Sequence, residues 1–332
     1  MKTFSHKAAI IDLHLHLDGS LSLASAKELA QMQQIPLPET DAELINLLQV
    51  SDDCRDLNEY LEKFAFPCSL LQTKEGIRTA VYNLLTELQE QGLLYAEIRF
   101  APQKHTEKGL TQTEVVAAAI EGLQKSDFHA NLILCCMRGD DNHAENLETI
   151  QVAKQYLGQG VCAADLAGAE ALFPTAGFAD IFALATELGV PFTIHAGEAD
   201  GASSVETALR YGASRIGHGV RSLEKESLMQ HLVQNKIPLE LCPTSNLNTN
   251  IVPTISEYPF RALMDAGVVV TLNTDNLAVS NTTIAKEYQM IADTFSLTEA
   301  ELVQLAENSI FASFADEATK AWIREAFHKR LS

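Results

Sequence analysis

Basic residues are the scarce class in this chain. It has 24 Lys and Arg against 44 Asp and Glu, a formal net charge of −20 over 332 residues. Polynucleotide backbones and anionic membranes are held by Lys and Arg, so this balance argues against both as partners. A neutral small molecule is unaffected by it. No uninterrupted apolar run is long enough to cross a bilayer. The first twelve residues, MKTFSHKAAIID, lack an apolar signal core and a small-residue cleavage site. The expectation is therefore a protein that is not secreted and works in the cytoplasm. Cys54, Cys68, Cys135, Cys136, Cys162 and Cys242 include no Cys-x-x-Cys pair, and several sit in apolar runs. They read as reduced core thiols. No low-complexity linker divides the chain.

What is present is a hydrophobic fraction of 46%, enough for a sizeable core. The length suits one α/β barrel of about 250 residues with insertions, or two ordinary domains. Apolar runs of strand length recur near 10–17, 93–100, 130–137, 160–167, 191–195, 214–218, 237–241 and 268–274, with helical patterns between them. Strands alternating with helices predict a parallel sheet, and eight such units predict a closed (β/α)₈ barrel. The expectation is a single domain over 1–332. Residues 41–73 are helical but irregular and too long for a simple connection, so they read as a lid-like insertion after the first strand. Further helices are expected after residue 281.

The stretch 10–20, IIDLHLHLDGS, organises the rest. Alternation along a strand puts Asp12, His14 and His16 on one face and Ile11, Leu13, Leu15 and Leu17 on the other. Two imidazoles on one strand face can reach a single ion, and neutral imidazole is a common zinc ligand. The plainer alternative is a strand with two satisfied histidines. Other strand ends decide between them. His195 ends the fifth run, with Glu198 following in HAGE, and His218 ends the sixth between Gly217 and Gly219. Asp275 ends the eighth in NTDN. In a barrel of this kind the chemistry lies where the strands end, so four histidines and an Asp converge on one rim. That donor set suits Zn²⁺. His105, His129, His143 and His231, with His6 and His328 near the chain ends, read as surface residues.

DLHLHLDGS, LLYAEIRFAP, ILCCMRG, DLAGAE, TIHAGE, IGHG, LCPTSN and TLNTDN follow one another in this order. In that order, and at successive strand ends, they resemble the adenosine deaminase family of the amidohydrolase superfamily over about 11–288. The resemblance implies one zinc per chain held by His14, His16, His195 and Asp275. It implies that Glu198 donates a proton to purine N1 and that His218 stands beside the attacking water. Gly168 would meet purine N3. Asp18, with His16 close by, would meet the ribose 5′-hydroxyl. The implied reaction converts adenosine or 2′-deoxyadenosine to inosine or deoxyinosine and ammonia, within purine salvage or nucleoside catabolism.

Chemistry agrees with these roles. Replacing an aromatic amine by water needs a nucleophile at C6 and an electron sink at N1. Zinc prepares the first, and a protonated Glu198 supplies the second. His218 can take the water proton, and Asp275 can hold metal and water together. The His-x-Glu and Pro-Cys-x-x-Cys pair of cytidine-type deaminases is absent. Residues 161–170 contain no Lys to bridge two metals. Three positions depart from the family pattern. Asn276 replaces the second acid after the last strand, Ala169 replaces an acid in DLAGDE, and Leu277 replaces a Pro. Asn276 is expected to donate to purine N7; the alternative is that it caps the following helix or a turn. Other readings are a deaminase of adenine or aminodeoxyfutalosine, and a barrel that binds a purine nucleoside without turning it over. AMP fits less well, because only Arg138 and Lys104 could meet a phosphate.

Overall fold

The computed structural model describes residues 2–51 and 53–332. Among the described residues eight strands run parallel: β1 Ile11–His16, β2 Tyr95–Phe100, β3 His129–Met137, β4 Val161–Ala167, β5 Thr193–Ala196, β6 Arg215–His218, β7 Leu239–Leu241 and β8 Val270–Leu272. They form two half-sheets, β1–β2–β3–β4 and β5–β6–β7–β8. Parallel bridges join the halves at Ala164 with Phe192 and at Leu15 with Asp275. At the second seam His16 N–H donates to Asp275 O at 2.8 Å, and Asp275 N–H donates to His14 O at 2.7 Å. The expected α/β barrel is thus the observed architecture. Every residue of β1, β2 and β4 is buried, as strands covered on both faces require.

The helices follow their sequence signals. In Lys74–Glu90, Ile77, Ala80, Val81, Leu84, Leu85 and Leu88 form the buried stripe. The Thr73 hydroxyl accepts from Gly76 N–H and starts the helix. Thr40 with Glu43, Thr111 with Glu114 and Thr298 with Glu301 each form a reciprocal capping box. The 41–73 region consists of helices Asp41–Leu48, Leu57–Leu61 and Ala65–Leu70 with a 3₁₀ turn between the last two. Three helices, Ile284–Phe295, Glu299–Ala312 and Glu317–Leu331, close the chain. Two short helices carry no clear sequence signal, Lys2–Ala8 and Pro243–Asn248. The second begins on a Pro and holds residues of the site.

One expectation is corrected. His105 is not a surface residue; it is 1% exposed, under Phe100 and 4.0 Å from Asp18. It lies in a 3₁₀ turn, Pro102–His105, that folds straight back from the end of β2. All six cysteines are unpaired, five of them buried. No helix among the described residues is long and apolar enough to cross a membrane.

Candidate active site

The C-terminal ends of the strands open into a cavity of about 530 Å³. His16, Asp18, Gly168, His195, Glu198, His218, Asp275 and Asn276 all border it. His14 lies beneath, fully buried. The sequence-chosen residues are therefore all brought to one place. Gly217 makes this possible: a Cβ there would lie 3.1 Å from His14 Cε1 and from His195 Cα. His218 and Asp275 leave their strands in the left-handed region, with φ of 59° and 62°. Such backbone is uncommon for side chains of this size, and here it swings both into the cavity.

Four donors meet in a small volume. His14 Nε2 is 3.0 Å from His195 Nε2, and His16 Nε2 is 3.2 Å from the same atom. Asp275 Oδ1 is 3.5 Å from His14 Nε2 and 3.4 Å from His16 Nε2. His218 joins the group, with a donor atom within 4.8 Å of those of His14, His195 and Asp275.

Outer partners decide which lone pairs face inward. His14 Nδ1 meets Glu240 at 2.7 Å and His195 Nδ1 meets Asp165 at 2.9 Å. A carboxylate partner places the ring hydrogen on Nδ1, so each Nε2 carries a lone pair. Two lone pairs at 3.0 Å repel unless a cation lies between them. This donor set suits a divalent metal.

Below the histidines lies a buried ion network. Arg99 binds Asp165 and Glu240, each at 2.8 Å, and Arg215 binds Glu240 and Glu97, each at 2.6 Å. Three carboxylates face two guanidiniums, leaving one net negative charge under the imidazoles. The sequence reading missed Arg99, Asp165, Arg215 and Glu240. Asp165 and Glu240 are each the one charge in an otherwise apolar strand, whereas Arg99 shares β2 with Glu97 and Arg215 opens β6.

Glu198 is buried, and its carboxyl is pushed well above its usual range by burial and by the charges of Asp275 and Glu170. That direction favours the protonated form of the carboxyl. The His218 imidazole is held well below its usual pKa by burial and by His14, and is neutral. Asn246, from Pro243–Asn248, donates to Glu198 Oε1 at 3.3 Å and to His218 Nδ1 at 3.1 Å. Tyr258 fixes that amide by donating to its Oδ1 at 3.0 Å. Asp275 Oδ2 accepts from Ser245 at 2.6 Å. Burial lifts the Asp18 carboxyl to about 6. Thr283 caps the helix Ile284–Phe295, so Asn276 does not serve that end.

The family model described as adenosine deaminase matches residues 10–330. The chain belongs to the adenosine deaminase family. The family's curated members include an adenosine deaminase of Haemophilus ducreyi, 52% identical over 94% of this chain and 93% of that protein. An adenosine deaminase of Enterococcus faecalis is 40% identical over 95% and 94%. Among solved structures, an adenine deaminase of Arthrobacter aurescens superposes with a TM-score of 0.86 at 28% identity, covering 97% and 98%. A zinc-bound amidohydrolase of Burkholderia ambifaria superposes at 0.87 with 22% identity, covering 99% and 92%, a likeness of fold.

Proposed function

We propose that this protein deaminates adenosine and 2′-deoxyadenosine hydrolytically, with one zinc ion per chain. The observation that carries the reading is a buried Glu198, its carboxyl shifted toward the protonated form, beside the His14, His16, His195 and Asp275 cluster in one cavity of nucleoside size. Tetrahedral zinc with bonds of about 2.0–2.1 Å needs ligand atoms about 3.3–3.4 Å apart. The separations of 3.0 to 3.5 Å from the His14 and His16 rings to His195 Nε2 and Asp275 Oδ1 support zinc with these four ligands, and His218, which clusters with His14, His195 and Asp275, is the other candidate for the fourth.

Bound zinc supplies Lewis acidity that makes water nucleophilic at neutral pH. Glu198 gives its proton to N1 as the water oxygen attacks C6, so the ring does not accumulate negative charge. His218 orients that water. Its Nδ1 accepts from Asn246, so the neutral ring presents an N–H toward the site. The first acceptor of the water's proton is then Asp275, rather than His218 as the sequence alone suggested. Asp275 passes that proton to the C6 amino group, the C6–N bond breaks to release ammonia, and the hydroxyl proton left on C6 returns to Glu198, leaving inosine.

Asp18 receives the ribose 5′-hydroxyl, the Gly168 backbone meets N3, and Asn276 donates to N7. Gly168 has a φ of 109°, a conformation that suits glycine and brings main chain to the cavity wall. A nucleoside is favoured over a nucleotide because both terminal nitrogens of Arg138 are already engaged. Its guanidinium donates to Phe173 O, Thr175 Oγ1 and His195 O. Lys104 alone remains for a phosphate at the cavity wall.

Assays of adenosine, deoxyadenosine, adenine and AMP, followed by absorbance and ammonia release, test the reading. The two nucleosides should be turned over far faster than the other two. Preference for adenine, or binding of adenosine without ammonia release, would overturn it.

A further inference from the structure

We propose that Tyr60 is a positioning residue for base recognition, acting by fixing which way the Asn276 amide faces. The inference rests on the reading that Asn276 donates to purine N7. Tyr60 lies on the helix Leu57–Leu61 of the inserted region and is 1% exposed. Its hydroxyl meets Ser280 Oγ at 2.7 Å and Asn276 Nδ2 at 3.0 Å.

The backbone around Asn276 is held independently of Tyr60. Asn276 N–H donates to Thr274 O, and Ser280 N–H donates to Asn276 O. Leu277 N–H donates to Ser20 Oγ, and Ala278 and Val279 donate to Gly19 O. What this leaves open is the rotation of the side-chain amide. An amide turned by half a revolution keeps its shape and exchanges donor for acceptor. Purine N7 is an acceptor. A donor facing it binds, and a carbonyl oxygen facing it repels.

Either hydroxyl can donate in the Tyr60–Ser280 pair, and we assign Tyr60 as the donor. When its proton lies on the bond to Ser280, the phenol oxygen accepts from Asn276 Nδ2. That sends Oδ1 the other way, against Gly19, where a Cβ would stand only 1.7 Å from it. Oδ1 has no hydrogen-bond partner among the described residues, so nothing else fixes the amide's direction. The second N–H on Nδ2 has no protein acceptor among them either, and Asn276 borders the cavity. The inserted helix and the end of β8 thus read the base together.

The test is a double-mutant cycle on ligand binding. 1-Deazaadenosine lacks the atom Glu198 protonates and so binds without turnover; 1,7-dideazaadenosine also lacks N7. Calorimetric Kd values for both are measured on zinc-loaded wild type, Tyr60→Phe, Asn276→Ala and the double variant. Wild type should bind the dideaza analogue about tenfold or more weakly, the scale of one unpaired buried donor. Asn276→Ala should bring the ratio near one. Tyr60→Phe, which keeps the ring, should bring it most of the way there, and the double variant should match Asn276→Ala. Each ratio compares two ligands on one protein, so a loss of folded fraction cancels. A wild-type ratio in Tyr60→Phe, with a collapsed ratio in Asn276→Ala, would overturn the role of Tyr60 and leave the N7 reading standing. Equal weakening of both ligands in Tyr60→Phe would assign it to packing and overturn the proposal too. A ratio unchanged in Asn276→Ala would remove the N7 reading and the proposal together.

Discussion

Glu170 holds Glu198 by its backbone: Glu170 Oε2 accepts the Glu198 N–H at 3.0 Å. The same carboxylate accepts from Gly197, Ala199 and Asp200 N–H and from Ser204 Oγ. A single side chain from the end of β4 therefore organises the whole turn after β5. One carboxyl thus projects from a turn built on another.

Glu170→Gln should show what that turn is worth. An amide keeps one acceptor but points N–H groups at backbone donors, so the turn must shift. Misplacement by about 1 Å can cost on the order of 100-fold. We expect kcat to fall about 10- to 100-fold with metal content unchanged, measured by steady-state kinetics beside elemental analysis.

Glu198→Gln separates the acid from the metal. Gln has the same shape and cannot give up a proton to N1. Zinc content should stay at the wild-type level while kcat falls by about 10²–10⁴-fold. Activity within a few-fold of wild type would refute the proton-donor role.

Metal analysis should find one ion per active chain. His14→Ala or His195→Ala should lose both metal and activity, because each removes a nitrogen that a carboxylate has aimed. Two ions per subunit would contradict the single site.

Away from the cavity, Glu287 makes stability depend on pH. Burial raises its carboxyl to about 7 from the ordinary value of 4.5, although Thr244 and Thr282 hydrogen bonds work in the opposite direction. The folded state then holds a proton that the unfolded chain releases. The stabilisation is complete below pH 4.5 and is lost as pH rises to about 7. Its size is on the order of 3 kcal/mol for a shift of this extent. Denaturant melts of wild type and Glu287→Gln between these limits should differ in slope, the wild type losing stability faster as pH rises.

The barrel and the metal cluster were legible in the sequence because both write themselves as periodicity. Strand alternation puts His14 and His16 on one face, and each later histidine or acid stands where an apolar run stops. The supporting groups were less visible. Asp165, Arg99 and Glu240 lie on strands far apart in the chain, and only barrel closure makes them neighbours. Asn246 sits on a single helical turn, too short to announce itself by pattern. His105 looked like a loop residue because its turn gives no periodic signal, yet the fold buries it. Tyr60 reads as one more apolar contact in an irregular helical region until Ser280 and Asn276 arrive beside its hydroxyl.

The seam between β8 and β1 is tied by main-chain groups of the very residues whose side chains line the proposed metal site. His14 O, His16 N–H, and the N–H and O of Asp275 make its two hydrogen bonds. Amide exchange at His16 and Asp275 therefore reports how often the cylinder opens along that line. An ion shared by side chains on both strands would act as a rivet, and opening would require its release. Chelation should accelerate exchange at these two amides before it affects the interior of β2 or β3. Slow exchange restored by added metal would show that the proposed catalytic centre also clasps its own scaffold.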